Sequence, residues 1–445
     1  MPSMLKRNVK RVRRSQCHDV KSLARKERNT LQDCIEPVAI GGTSMNARDR
    51  IFKALSLQIP DKVPAAPAYL GLYLADFIRQ GYIQQYDKKL GESSRCGISH
   101  EQDSLFRAEA VRMAYTQAFK VMPDWIFARL GPTKEWASHT EIRRGKDSFL
   151  YVDKRSGDST AHIPSFSPSV TDYVVHRDRP SAEQDIWDIS DQVGSIEEME
   201  KQITLVSKKE LEEKGLGELP KYIKGIFGDN YFIYFVIDTP FSYLYDILGF
   251  RGMMVKLYQD PRLVKYLLTK ILNQSLEFVK LFKSVGADGV YIEEVYTSAD
   301  IISPEFYDEF VYSFNKQYIR QIKEIGLKTI LYVCGDIMPR IERIGCLGAD
   351  ALAFEEGKKN FEINLEDIVQ KVGKNHCIFG NIDTIQFGTK ASKDEMAAQV
   401  RKQISIGVKA DGFVVSTGSP FPLETDPEQI DTLVQTAHEY VSRKG

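Results

Sequence analysis

The sequence predicts a single (β/α)8 TIM barrel of the α/β class, with a β-hairpin insertion and a basic disordered N-terminal tail. Eight short apolar runs have the length and composition of strands: 63–67, 124–129, 231–237, 289–293, 328–333, 350–354, 376–380 and 412–416. A helical pattern of ten or more residues follows each of the last six runs, which is typical of parallel βαβ units. The segments 286–294 and 348–356 repeat a Gly-Ala-Asp turn before a strand, with a weaker copy at 407–416, as a barrel of repeated units predicts.

The N-terminal segment differs from the rest of the chain in its charge. Residues 1–30 contain ten Lys or Arg and only two acidic residues, and they lack the apolar core of a secretory signal. We interpret 1–45 as a disordered basic extension; a transit peptide and a nucleic-acid-binding tail are the alternatives. The barrel is expected over 46–445, because Asn46 begins a capping-box pattern that opens the first helix. The polar, turn-rich stretch at about 135–190 is interpreted as the β-hairpin insertion.

Bulk composition excludes several classes of protein. The 445 residues carry a formal net charge of -1, so no global field favours nucleic acid or an anionic membrane. No apolar stretch approaches the roughly 20 residues that a membrane span requires. The six cysteines are scattered without a CxxC pair, which argues against a disulfide framework and predicts a cytoplasmic protein. We therefore expect neither nucleic acid nor a membrane among its partners.

Polar side chains follow the predicted strands at the end where the active sites of TIM barrels lie. These strand exits supply several carboxylates and one thiol: Asp238, Glu293, Glu294, Cys334, Asp336, Glu355, Glu356, Asn381, Asp383 and the segment 416–419. We expect them to converge on one mouth of the barrel. None of the seven His lies on a convincing strand exit, and the chain has neither a P-loop nor a GxGxxG after a strand. A Ser-His-Asp system and a nucleotide-binding loop are therefore poorly supported.

The thiol and the paired carboxylates each have two interpretations. Cys334 is either a buried residue that acts as a small hydrophobe or a thiolate ligand of a metal ion, since zinc favours Cys, His and carboxylate ligands. Adjacent residues on a strand point to opposite faces, so only one of Glu293 and Glu294 should face the mouth. The same choice holds for Glu355 and Glu356. The alternative is that these carboxylates form salt bridges at the surface.

Three segments resemble the uroporphyrinogen decarboxylase-like family. They are 302–310, which reads ISPEFYDEF, then 333–335, which reads VCG, and 379–383, which reads FGNID. A general similarity covers 46–443 and is strongest from residue 228 onward. The family is a single (β/α)8 barrel that contains decarboxylases of heme synthesis and zinc-dependent methyltransferases that work with corrinoid proteins.

The decarboxylase branch departs from this chain in its N-terminal motif. That branch binds the acidic side chains of its substrate with a segment that reads RQAGRY. Here the segment 79–82 reads Arg-Gln-Gly-Tyr, lacks the second Arg and lies far beyond the first predicted strand. A porphyrinogen with eight carboxylates requires several cations. The departure favours the methyltransferase branch.

The methyltransferase branch holds zinc with a carboxylate, a His-x-Cys pair and a distant Cys. By resemblance, Glu294 matches the carboxylate and Cys334 matches the first Cys. Tyr332 stands where the His is expected, and Ser419 stands where the second Cys is expected. Two of the four ligands are therefore kept.

A different set of ligands follows from this departure. The resemblance implies zinc held by Glu294, Cys334 and Glu356. Glu355 or Asp336 could take the place of Glu356, and the remaining alternative is that the metal is lost.

The predicted reaction is the transfer of a methyl group to or from a corrinoid. The corrinoid is expected on a partner protein, because the chain has no DxHxxG cobalamin-binding motif. Zinc would polarise a small methyl donor or lower the pKa of a thiol acceptor. Tyr332 is predicted to donate a hydrogen bond to the leaving oxygen, and Asp383 is the second predicted catalytic residue. The alternatives are decarboxylation of uroporphyrinogen or another acid, and ligand binding without catalysis.

Overall fold

Alternating strands and helices make up most of the described residues. The computed structural model describes residues 45–90, 95–96, 99–144, 149–160, 170–173, 189–357 and 361–441. The predicted N-terminal extension lies outside this range apart from Met45, and so does most of 161–188 in the predicted insertion.

Eleven strands are found in this part of the chain. In chain order they are β1 (Arg95–Cys96), β2 (Trp125–Phe127), β3 (Thr140–Arg144), β4 (Phe149–Asp153), β5 (Ser159–Thr160), β6 (Phe232–Asp238), β7 (Gly289–Glu294), β8 (Lys328–Val333), β9 (Ala351–Phe354), β10 (Cys377–Phe379) and β11 (Gly412–Val414).

The α-helices of the same residues are α1 (Ala47–Leu55), α2 (Leu70–Tyr73), α3 (Ala75–Leu90), α4 (His100–Ala118), α5 (Lys134–His139), α6 (Ile196–Gln202), α7 (Lys208–Glu213), α8 (Glu218–Phe227), α9 (Leu244–Gln259), α10 (Pro261–Ser284), α11 (Pro304–Phe306), α12 (Ser313–Ile325), α13 (Ile341–Gly345), α14 (Leu365–Val372), α15 (Lys393–Gly407) and α16 (Pro427–Glu439). Short π-helices cover Tyr307–Tyr312 and Gln386–Lys390, and 3₁₀ turns cover Val170–Tyr173, Ser190–Gln192 and Met338–Arg340. Within these residues, no helix is long and apolar enough to cross a membrane.

Seven strands form one curled parallel sheet in the order β2-β6-β7-β8-β9-β10-β11. The segment 63–67 hydrogen-bonds to both ends of this sheet. Its Ala66 N–H donates to Val415 O at 2.8 Å, and Asp124 N–H donates to Ala65 O at 2.9 Å. Seven of the eight predicted strands are present, and the predicted parallel α/β sheet is confirmed.

Aromatic rings fill the inner face of the curled sheet. Side chains alternate along a strand, so every second residue points inward. The inward set includes Trp125 stacked on Tyr234, with ring centroids 4.0 Å apart, and Tyr291 stacked on Tyr332 at 5.4 Å. Phe379 packs 5.6 Å from Trp125. We call these five rings the ring layer; it closes the inside of the sheet below the C-terminal ends of the strands.

The outer face of the sheet is covered by amphipathic helices. In α10, Pro261 occupies the first turn, where its missing N–H costs no hydrogen bond, and the Asp260 side chain caps Leu263 N–H. The apolar residues of this helix recur at helical spacing and are buried, for example Leu267 and Ile271. Such faces bury the outward side chains of the strands.

A buried charged cluster joins three elements at the N-terminal end of the sheet. The Asp124 carboxylate, which is 0% exposed, pairs with the Arg50 guanidinium of α1. It also accepts from Ala65 N–H at 2.7 Å and contacts His438 Nε2 of α16 at 2.8 Å. Residues on this face of a TIM barrel contribute to stability, which agrees with the burial of this cluster.

The chain before β6 also forms a second sheet and two short helices. A second, antiparallel sheet has the order β1-β3-β4-β5, so β1 joins strands that lie within the predicted insertion. The charged segment 195–218 contains two short helices, because α6 ends at Gln202 and α7 begins at Lys208. Ser207 forms a capping box with Glu210, which starts a new helix within the segment.

Candidate active site

Two carboxyl side chains from neighbouring strands meet above the ring layer. Asp238 ends β6 and lies in register with Glu293 of β7. Both continue the inward series of their strands, which contains Tyr234 on β6 and Tyr291 on β7. The Asp238 carboxyl donates a hydrogen bond to the Glu293 carboxylate.

The pKa values of both carboxyl groups are raised above their ordinary values. Burial raises the pKa of Asp238 well above its usual range, and the neighbouring charge of Glu293 raises it further. Burial also raises the pKa of Glu293, although hydrogen bonds from Tyr69 and Asp238 oppose this increase. Two negative charges in one poorly hydrated site repel each other, so both burial and repulsion favour a proton on the pair.

Tyr69 covers this pair from the loop that follows the segment 63–67. Its hydroxyl donates to Glu293, and its ring packs edge-on against Tyr291 at 5.6 Å and Tyr332 at 5.8 Å. Its backbone is left-handed, with φ 55°, which is uncommon for a residue with a side chain. Tyr296 at the exit of β7 has the same feature, with φ 65°. Such conformations cluster at functional sites.

Cys334 also faces inward, directly after β8. It packs against the inner cluster and is hydrogen-bonded to Tyr332. Tyr332 itself donates its hydroxyl hydrogen to Gly418 O at 2.6 Å, and burial raises the pKa of this phenol. Glu355 accepts from Gly335 N–H at 3.0 Å beside the thiol. The hydrogen that we predicted Tyr332 to donate to a leaving oxygen is therefore directed at a backbone carbonyl.

Glu294 lies on the opposite face of β7 from Glu293. Its side chain is 0% exposed, accepts from Thr297 Oγ1 at 2.8 Å and contacts the Asn315 amide of α12. Burial raises the pKa of Glu294 to about 7, while hydrogen bonds from these neighbours lower it. The structure therefore places the predicted carboxylate ligand between sheet and helices and does not bring it to Cys334.

Glu356 and Asp383 lie to the side of the carboxyl pair. Glu356 accepts from Ser419 Oγ at 2.7 Å. Asp383 accepts from the backbone N–H groups of Ile385 and Gln386, both at 2.9 Å, so it caps the helical turn after β10. Both acids line a cavity of about 430 Å³ beside α15. Asp383 remains only a prediction as a catalytic residue.

Comparison with protein families agrees with this arrangement of strands. Residues 197–440, more than half of the chain, match the family described as uroporphyrinogen decarboxylase (URO-D). The chain belongs to the uroporphyrinogen decarboxylase family. Its members among the similar proteins include enzymes of two kinds, decarboxylases and methyltransferases.

Individual relatives of this family are distant. A uroporphyrinogen decarboxylase of Chlorobium phaeobacteroides is 27% identical over 188 residues, 41% of this chain and 51% of that protein. The methylcobamide:CoM methyltransferase MtbA of Methanosarcina acetivorans is 22% identical over 201 residues, 45% and 56% of the two chains. The chain thus spans about half the length of the curated relatives it matches. A solved methyltransferase from Methanosarcina mazei superposes with a TM-score of 0.56 at 16% identity, over 89% of this chain and 99% of that one, and shows the fold alone.

The zinc site implied by the methyltransferase branch of the family does not fit the donors found here. Throughout the described ranges, no three or more His, Cys, Asp or Glu side chains are grouped to hold a metal ion. Tyr332 and Ser419 replace two soft ligands, and both direct their hydroxyl hydrogens to other acceptors. Glu294 is turned away from Cys334. The predicted set of Glu294, Cys334 and Glu356 does not converge, because alternation along β7 places Glu293 at the mouth instead.

Sequence reasoning named the strand exits of this family member but missed part of its site. Asp238 and Glu293 were both among the predicted exits, yet Glu294 was preferred. The register of β7 with β8 pairs Glu293 with Tyr332, and this inward partner shows that Glu293 is the residue that faces inward. Tyr69 carried no signal, because it lies in a loop. Arg129, described further below, was counted as part of a strand that ends at Phe127.

Proposed function

We propose that this chain moves a methyl group from a small oxygen- or nitrogen-linked donor to a corrinoid carried on a separate protein. The observation that carries the proposal is the pairing of Asp238 and Glu293, which lie in register at the ends of β6 and β7 and are hydrogen-bonded to each other. A methyl group that leaves oxygen leaves behind an alkoxide or phenoxide. Such a leaving group requires a proton, and a carboxyl group whose protonated form is favoured by burial can supply it.

The proposed methyl transfer breaks a carbon–oxygen bond and forms a carbon–cobalt bond. The bond between the methyl carbon and the donor oxygen breaks, and a bond between the methyl carbon and the reduced corrinoid cobalt forms. The electron pair of the broken bond stays on the oxygen, and Asp238 donates its proton to that oxygen. The hydrogen bond from Tyr69 stabilises the Glu293 carboxylate, and repulsion between the two carboxylates that remain favours the return of a proton. Water restores the proton after the product has left.

The carboxyl pair favours this reaction over decarboxylation of uroporphyrinogen. A substrate with many carboxylates would bring further negative charge next to Asp238 and Glu293. Burial already opposes ionisation of these two groups. Recognition of carboxylates normally uses charge-assisted hydrogen bonds from cations. An acid pair is suited to a donor whose reacting end is uncharged.

The test compares two donors that differ in their need for a proton. Purified chain is mixed anaerobically with cob(I)alamin, or with corrinoid proteins from the same cells, and loss of the Co(I) absorbance is followed. An aryl methyl ether leaves as a phenoxide, whereas tetramethylammonium leaves as neutral trimethylamine and takes no proton. Asp238→Asn should slow methyl transfer from the ether by about 100-fold or more and leave the ammonium donor nearly unchanged.

A second variant separates the acid pair from the metal site implied by resemblance. Glu294→Gln changes the neighbouring carboxylate on the opposite face of β7. If Glu294 only packs, both donors should react as in the wild type; if it binds a metal, both should be lost. No methylation of cobalamin with any donor, equal loss of both donors in Asp238→Asn, or enzymatic formation of coproporphyrinogen from uroporphyrinogen would contradict the proposal.

A further inference from the structure

A basic side chain at the exit of β2, Arg129, has no acidic partner in the part of the chain that the structure describes. The Arg129 guanidinium lies 4.9 Å from the centre of the Phe127 ring, which packs against the inner cluster. Among the described residues no carboxylate forms an ion pair or hydrogen bond with Arg129. Most other buried or half-buried arginines here have such a partner, as Arg50 has Asp124 and Arg107 has Asp103.

The Arg129 guanidinium is partly removed from water, and no carboxylate of the described residues balances its charge. Burial lowers the pKa of Arg129, which indicates that its charge is poorly hydrated. The hydroxyls of Tyr234 and Tyr291 are buried nearby on the inner face and have no hydrogen-bond partner in the described part of the chain. Tyr234 packs 5.5 Å from the same Phe127 ring. The five N–H donors of Arg129 and the unused hydroxyl-bearing ring of Tyr234 therefore both lie against the Phe127 ring.

We infer that Arg129 binds a carboxylate on the methyl donor, so that the preferred donors are small aromatic acids with a methyl ether. A guanidinium matches a carboxylate with two parallel hydrogen bonds, and its planar fork fixes the orientation of the bound group. The aromatic side chains beside it, Phe127 and Tyr234, suit a planar ring. This inference rests on the proposed function for the reaction, while carboxylate binding can be measured without it.

The strand register gives the spacing between the two ends of such a donor. Phe127 pairs with Tyr234, so Arg129 lies level with Val236 on β6. Asp238 follows Val236 by two residues, which is about 7 Å along a strand. A carboxylate at Arg129 and a methoxy oxygen at Asp238 are thus separated by roughly the length of one substituted ring. The cation holds one end of the donor and the acid faces the other.

The test measures binding by calorimetry with two probes of one shape. The full chain is titrated with 4-methoxybenzoate and with the neutral 4-methoxybenzyl alcohol. We expect the acid to bind more tightly than the alcohol. Arg129→Met should weaken binding of the acid at least about 10-fold and leave the alcohol unchanged, since only the acid carries a charge for the guanidinium to bind. Arg320→Met removes the same charge from an exposed helix face and should change neither.

Arg129→Lys is a second variant that distinguishes a loss of carboxylate binding from a loss of folding. It keeps the charge but loses the fork, so it should fold and bind the acid with intermediate affinity. Equal binding of acid and alcohol, or unchanged binding of the acid in Arg129→Met, would overturn the inference. Tight binding of the acid without methyl transfer would contradict only the proposed function. Methyl transfer at equal rates from both probes, unaffected by Arg129→Met, would contradict only the inference.

Discussion

Replacing Glu294 with Gln should stabilise the protein at alkaline pH. This buried carboxylate accepts hydrogen bonds from Thr297 and Asn315 and has a pKa of about 7 because of its burial. The Asn315 Oδ1 atom has no hydrogen-bond partner among the described residues. If the Asn315 amide turns over, Gln at position 294 can donate to Oδ1 and still accept from Thr297. The substitution then removes a buried charge without leaving a donor unpaired.

The size of the effect follows from proton linkage. Between the ordinary pKa of 4.5 and the folded value of about 7, the unfolded state loses its proton while the folded state keeps it. Each pH unit in this interval lowers the free energy of unfolding of the wild type by about 1.4 kcal/mol. Stability is thus fully present below the unfolded pKa and is lost as the pH rises through the folded one. The whole interval corresponds to about 3 kcal/mol, which Glu294→Gln should not lose.

The measurement is urea unfolding of both proteins at several pH values from 5 to 8. The two unfolding free energies should nearly coincide at pH 5, and the Gln variant should become progressively more stable up to about pH 7.5. Glu305→Gln is the matched control. Hydrogen bonding by Ser303 lowers the pKa of that exposed carboxylate below 4.5, so it is ionised in both the folded and the unfolded state above pH 5, and the difference between this variant and the wild type should stay constant over the range. A constant difference between wild type and Glu294→Gln across this range would refute the argument.

Two further predictions concern stability. Asp124→Ala leaves Asp61 as the remaining carboxylate partner of the Arg50 guanidinium and removes the contacts with Ala65 N–H and His438, so we expect a loss of about 1 to 3 kcal/mol in urea unfolding; a loss below 1 kcal/mol would show that water replaces the carboxylate. Gly335→Ala places a Cβ against Ser298 at a positive φ of 87°, so the melting temperature should fall by several degrees, corresponding to about 1 to 3 kcal/mol; an unchanged melting curve would mean that this loop rearranges freely.

The strands of the large sheet were predictable because several signals coincide in them. In β7 and β9 a Gly-Ala-Asp turn precedes an apolar run, and acidic residues follow it. Burial on both faces makes such strands nearly continuous in apolar residues. The segment 63–67 was expected as a full strand but forms one isolated bridge at Ala65. Its two prolines lack the N–H groups that a longer ladder requires.

The site was less predictable than the strands because side chains alternate between the two faces of β7, and either of two adjacent acids could face inward. One member of Glu293 and Glu294 had to face inward, but the sequence alone does not say which. The choice depends on the inward rings at Tyr291 and Tyr332, and therefore on tertiary register. Tyr69 reaches the site only through a left-handed backbone, for which the sequence has no clear signal.

The ring layer has a consequence for the order of events in catalysis. In the described part of the chain these rings fill the interior beneath Asp238 and Glu293, so a small molecule reaches the two carboxyl groups from the side where the strands end. A corrinoid protein that accepts the methyl group in the proposed reaction must cover the same side. The donor therefore has to enter before the partner docks, and the demethylated product has to wait until the partner departs. For the reaction we propose, the order of binding is therefore fixed, and an excess of the corrinoid protein should inhibit turnover by binding before the donor has entered.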